Sequence, residues 1–135
     1  MSLHAPRWLA WLAAPMIALP VILVHPGEQP VHPAEGSVDM GHESFSTRHV
    51  TVPLGGSVLM RNDSAWLHVI VPGTEARTVP QLGLPRLGTQ GDHVSETGDV
   101  WRLGPFTHPG HFRLTCSLHP EMNLTVDVVE RDATG

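Results

Sequence analysis

From Phe45 onward the apolar residues recur every second position, and that period constrains the fold more than any other feature of the chain. In HFRLTC, Phe112, Leu114 and Cys116 point one way, and His111, Arg113 and Thr115 the other. In NLTVDVVE, Leu124, Val126 and Val128 alternate with Thr125, Asp127 and Val129. HVTVP repeats the pattern with Val50 and Val52, WLHVIV with Trp66, His68 and Ile70, and VWRLGPF with Trp101 and Leu103. A period of two places one apolar face on a pleated strand, whereas a helix needs 3.6. Turn signals separate the runs: Pro53-Leu54-Gly55-Gly56, Asn62-Asp63-Ser64 and Pro109-Gly110. The 13 Gly and 13 Pro of the chain suit such turns and disfavour helices. About 90 residues of this kind are enough for one two-sheet core. The expected class is therefore all-β, a small Greek-key β-sandwich over residues 43–131. The stretch from Gly73 to Asp99 reads as loop with at most one short strand.

The first 42 residues read differently. A single Arg7 precedes an apolar run from Trp8 to Val24, broken only by Pro15 and Pro20. Residues 1–24 are expected to be an export signal or an N-terminal membrane anchor in the form of a hydrophobic helix. Arg7 before the run and acids after it place the rest of the chain outside the cytoplasm, with membrane association through residues 8–24 if the segment is retained. Residues 25–42, rich in Pro, Gly and acids, read as a flexible linker. His25, His32, Met40 and His42 lie on it and could collect copper, although a solvated linker with incidental histidines is the simpler reading. A net charge of −5 over 135 residues excludes a basic face for nucleic acid.

Cys116 is the only cysteine, so no intrachain disulfide forms. It opens CSLHPEM, which places Cys116, His119 and Met122 within one short loop. A fourth ligand must come from elsewhere, and His68, on the inward face of another strand, is the candidate. A thiolate with two imidazoles and a weak thioether is the donor set of a blue copper site. Zinc accepts cysteine and histidine but methionine poorly, so Met122 favours copper. Alone, Cys116 reads as an inert buried thiol and His68 as a satisfied core histidine; the His and Met spacing, with the upstream His strand, outweighs the first reading, and only the resemblance given below outweighs the second. A nucleophilic Cys116 with His119 or His68 as base lacks an orienting acid and an oxyanion hole. His49, His93, His108 and His111 are expected at the surface, and Trp66 and Trp101 in the core.

These residues resemble the cupredoxin family, and the Cys-x-x-His-x-x-Met spacing is similar to that of its amicyanin members. RNDSAWLHVIV resembles the family's first ligand region, and GPFTHPGHFRLTCSLHPEM resembles its closing strand and ligand loop. The resemblance implies one type 1 copper held by His68, Cys116, His119 and Met122. It also implies one-electron carriage outside the cytoplasm, with no enzymatic activity. A redox partner protein would dock near His119, where Leu67, Leu118 and Pro120 could form an apolar patch. Copper storage, delivery or resistance is the alternative function. Three positions depart from the family pattern. Val69 stands where an Asn commonly bridges the two ligand regions, Asn123-Leu124-Thr125 follows the Met, and Leu67 rather than Gly precedes His68.

Overall fold

The computed structural model describes residues 36–131. The expected segment 1–24, and the linker up to residue 35, lie outside the described residues. Among those described there is no helix, and so none long and apolar enough to cross a membrane. Nine strands form: β1 (Gly36–Met40), β2 (His49–Pro53), β3 (Val58–Asn62), β4 (His68–Thr74), β5 (Arg77–Thr78), β6 (His93–Ser95), β7 (Val100–Leu103), β8 (Gly110–Cys116) and β9 (His119–Val129). One sheet has the order β1-β3-β7, the other β2-β9-β8-β4-β5, and β6 pairs with β4. β1 runs parallel to β3 and β2 parallel to β9, whereas the other pairings are antiparallel. This is the expected all-β sandwich.

The period-two residues fill the space between the sheets. Phe112, Leu114 and Cys116 of β8 are buried, and His111 and Arg113 are exposed. Met122, Leu124, Val126 and Val128 of β9 are buried between half-buried neighbours. Val58 and Met60 of β3 face them from the other sheet, with Phe106 stacked on Phe112 at 5.5 Å. Each such side chain removed from water contributes roughly 1.5–3 kcal/mol.

Three expectations are corrected. Residues 36–40, expected to belong to the linker over 25–42, form a strand: Gly36–Met40 pair with β3 and bury Val38 and Met40. A two-residue alternation hidden among Gly, Ser and Asp is easily read as linker. Trp66 is 51% exposed, since β4 starts at His68 and the alternation does not reach back to it. His93 is half-buried, stacked on Trp101 at 3.9 Å, where a surface residue was expected.

The stretch 73–99 contains more structure than its turn residues indicate. β4 and β5 are joined by Glu75 and Ala76 alone, with φ of 51° and 60°. Two positive φ values in a two-residue loop define a type I′ turn, which favours Asn-Gly. At Gly73 a Cβ would meet the Arg77 carbonyl at 1.9 Å, so glycine is obligatory beside this tight pairing. Replacing Glu75 and Ala76 by Asn and Gly is expected to stabilise the domain by about 1 kcal/mol, the relieved strain outweighing the added chain entropy. Denaturant unfolding checks this; a shift of the midpoint to lower denaturant would show that the turn is unstrained.

Candidate metal centre

Each of the four expected residues is placed by a different local cause. Cys116 ends β8, where alternation turns it inward. A two-residue turn, Ser117-Leu118, then returns the chain so that His119 opposes Cys116. Thr115, one step back, opposes not Pro120 but Asn123. Pro120, Glu121 and Met122 are therefore extra residues on β9, an enlarged bulge that bends the strand and turns Met122 into the core. The ligand segment is thus a bulged hairpin belonging to β9, whereas the sequence pattern placed the start of that strand near Asn123. His68 opens β4 and is fully buried.

Among the described residues, His68, Cys116 and His119 are the group whose donor atoms could hold a metal, all within 4.8 Å of one another. Cys116 Sγ lies 3.8 Å from His68 Nδ1 and 3.5 Å from His119 Nδ1. A metal about 2.3 Å from sulfur and about 2.1 Å from nitrogen, at trigonal or tetrahedral angles, separates these atoms by about 3.5–3.8 Å. Both sulfur–nitrogen separations therefore suit a single shared ion. His68 and Cys116 are fully buried, and His119 is half-buried. Met122 is fully buried and joins the same core cluster as Cys116.

The protonation of His68 follows from its neighbours. Ser64 Oγ donates to Asn62 Oδ1 at 2.7 Å and lies 3.1 Å from His68 Nε2. With its one proton directed at Asn62, the hydroxyl accepts from Nε2–H. That leaves the Nδ1 lone pair facing the Cys116 sulfur. A metal-ligating histidine ordinarily has its other nitrogen held in this way. Ser117 N–H donates to the Val69 carbonyl at 2.9 Å, so a backbone bond ties the two ligand segments although the Val69 side chain has no polar group to do so.

His68 titrates below its ordinary value of 6.5 because burial penalises the imidazolium, with a further lowering from His119 and a smaller one from His42; a backbone hydrogen bond with Gly41 opposes them. The sign for stability follows. Above about 6.5 the histidine is neutral folded or unfolded. Below that value the unfolded chain binds the proton first, and this stabilisation is lost as pH falls through the depressed folded value. The copper-free protein is expected to melt at lower temperature at about pH 5 than at about pH 7.5, and His68→Gln to flatten the profile. Equal slopes in both proteins would remove His68 as the cause.

The sequence pattern placed His42 on the linker and Asn62 and Ser64 in a turn, and gave none of them a place beside His68 and His119. The His42 ring stacks on Trp66 at 4.2 Å and meets His119 edge-on at 5.7 Å. Exposed Leu67 and Leu118, each adjacent in sequence to a site histidine, flank the group. Asn62 carried a visible signal, a polar residue on the inward alternation after Val58 and Met60.

No family model and no curated protein matches the chain. Solved structures do. A purple cupredoxin from Nitrosopumilus maritimus is 21% identical over 70% of this chain and 99% of its own length, with a TM-score of 0.55. An oxidised amicyanin variant is 19% identical over 68% of this chain and 79% of its own, with a TM-score of 0.51. The chain has the cupredoxin fold. The same cupredoxin sandwich matches a Cu-containing nitrite reductase from Thermus scotoductus at 23% identity and a TM-score of 0.54, of which this chain spans only 25%.

Proposed function

We propose that this chain is a type 1 blue copper protein that carries single electrons between redox partners. The observation that carries the reading is the convergence of two Nδ1 atoms on one buried thiol at distances that suit a shared ion. His68, Cys116 and His119 would hold the copper, with Met122 as the weak fourth ligand. Bound copper supplies a one-electron couple between Cu(I) and Cu(II). The chain supplies the rest. Strands from one sheet and a bulged hairpin hold the donors in place, so little rearrangement accompanies electron transfer. Burial of Cys116 and Met122 excludes water from the soft donors. His119, half-buried, is the edge through which an electron enters or leaves. Leu67, Leu118 and Pro120, all exposed, form the apolar contact surface for a partner protein.

The location is extracytoplasmic. Residues 1–24 export or anchor the chain, the segment from 25 to 35 tethers the domain, and the domain starts at residue 36. The storage reading loses one of its linker residues, because Met40 is fully buried in the core. Titrating the purified protein with Cu(II) tests the proposal: an intense visible band saturating at one equivalent is expected. A weak band, with copper lost to a mild chelator, would overturn it.

A further inference from the structure

Two successive backbone amides leave the β4–β5 turn toward the hairpin that carries Cys116, His119 and Met122. Ala76 N–H donates to Thr115 Oγ1 at 3.0 Å, and that hydroxyl donates to the Met122 carbonyl at 3.0 Å. Glu75 N–H donates to Asn123 Oδ1 at 2.7 Å, joined by Thr74 Oγ1 at 3.2 Å. The Asn123 Nδ2 then donates to the Pro120 carbonyl at 2.8 Å. Each relay starts on a residue of the turn and ends on a carbonyl of the Pro120–Met122 bulge.

A three-residue bulge has left its ladder, so its carbonyls need donors from elsewhere. The two relays provide them. They also account for two otherwise unexplained features. Thr115 is fully buried although it lies on the outer face of β8, where His111 and Arg113 are exposed. Glu75 and Ala76 hold left-handed conformations without being Gly or Asn. Such strain persists where the surroundings over-determine it, and it gathers at functional sites.

We infer that the β4–β5 turn is a positioning element for the metal site: by holding the bulge it sets the depth and direction of the Met122 thioether. The inference rests on the reading of Met122 as the weak copper ligand. Glu75, Ala76, Thr115 and Asn123 are positioning residues and touch no metal. A weak thioether bond is the one most easily lengthened when its support relaxes, because the three stronger donors retain the ion.

The test uses Thr115→Val, Asn123→Ala and the conservative Thr115→Ser. In the copper-free protein, amide hydrogen exchange across 119–123 is expected to accelerate about fivefold or more in the first two, and to return to the original rate in Thr115→Ser. Exchange in β2 should not change. With copper bound, the two variants should retain one equivalent but change the electron paramagnetic resonance signature that reports the axial ligand. Unchanged exchange in both would overturn the inference. So would faster exchange with an unchanged copper signature, since the turn would then support only the fold. If Thr115→Val fails to fold, Asn123→Ala, at a half-buried position, decides alone. If the unaltered protein shows no thiolate–copper band, the ligand reading fails by itself, and exchange in the copper-free protein still decides whether the turn holds the bulge.

Discussion

Cys116→Ser is expected to abolish the intense visible band of the copper-loaded protein and to leave a cooperatively folded domain. The band requires charge transfer from a thiolate, and a serine hydroxyl stays protonated at neutral pH. Nothing else in the described residues can replace the donor, since Cys116 is the only thiol. The fold should tolerate the change. Sulfur to oxygen removes little volume, and one of the two facing Nδ1 atoms can accept the single proton of the new hydroxyl. The loss of stability should stay within about 1–2 kcal/mol. Absorption of the loaded variant and thermal unfolding of the copper-free one check both halves. A variant that remains blue would refute the thiolate assignment.

The features legible in the sequence are those with a local cause. Alternation in Phe112–Cys116 and Leu124–Val128 exposed the two-sheet core, because burial on one face of a strand leaves a mark every second residue. The spacing of Cys116, His119 and Met122 was readable because a short hairpin carries all three. His68 was readable because it lies on an inward strand face within RNDSAWLHVIV, a segment that resembles a cupredoxin ligand region. The features that stayed hidden arise from contacts far apart in sequence. Ala76 and Thr115 are 39 residues apart, Glu75 and Asn123 are 48 apart, and no local pattern announces either bond. Glu-Ala carries none of the Asn-Gly chemistry that marks a type I′ turn. Trp66 was misplaced because a period-two pattern has no intrinsic end, and the strand begins two residues after it.

Asn62 unites these levels, and its replacement should be the most destabilising change near the site. It is fully buried at the end of β3, in the smaller sheet. Its Nδ2 donates to the Ser95 carbonyl at 3.0 Å, across to a strand of the larger sheet, and to the Trp66 carbonyl at 2.8 Å. Its Oδ1 accepts from the amide and the hydroxyl of Ser64. All the capacity of the carboxamide is therefore used. Asn62→Leu keeps the approximate volume but leaves these partners without bonds. Each unsatisfied buried group costs about 1–3 kcal/mol, so a loss of about 3 kcal/mol and a fall in Tm of about 10–20 °C are expected. The effect should also reach the metal. With Asn62 absent, the Ser64 hydroxyl keeps only the Trp66 carbonyl, at 3.3 Å, as an acceptor and is freer to donate to His68 Nε2, favouring the tautomer that protonates Nδ1. Copper affinity should then drop at least about tenfold, the scale on which groups behind a metal ligand act. Ser64→Ala separates the two roles. It removes the contact to Nε2 but keeps the Asn62 bridge between the sheets, so it should weaken copper binding while lowering Tm far less. Thermal unfolding without copper, set beside copper titration against a competing chelator, reads both quantities. Equal losses of Tm in the two variants would mean that the bridge to Ser95 adds nothing, and that Asn62 acts through the Ser64 turn alone.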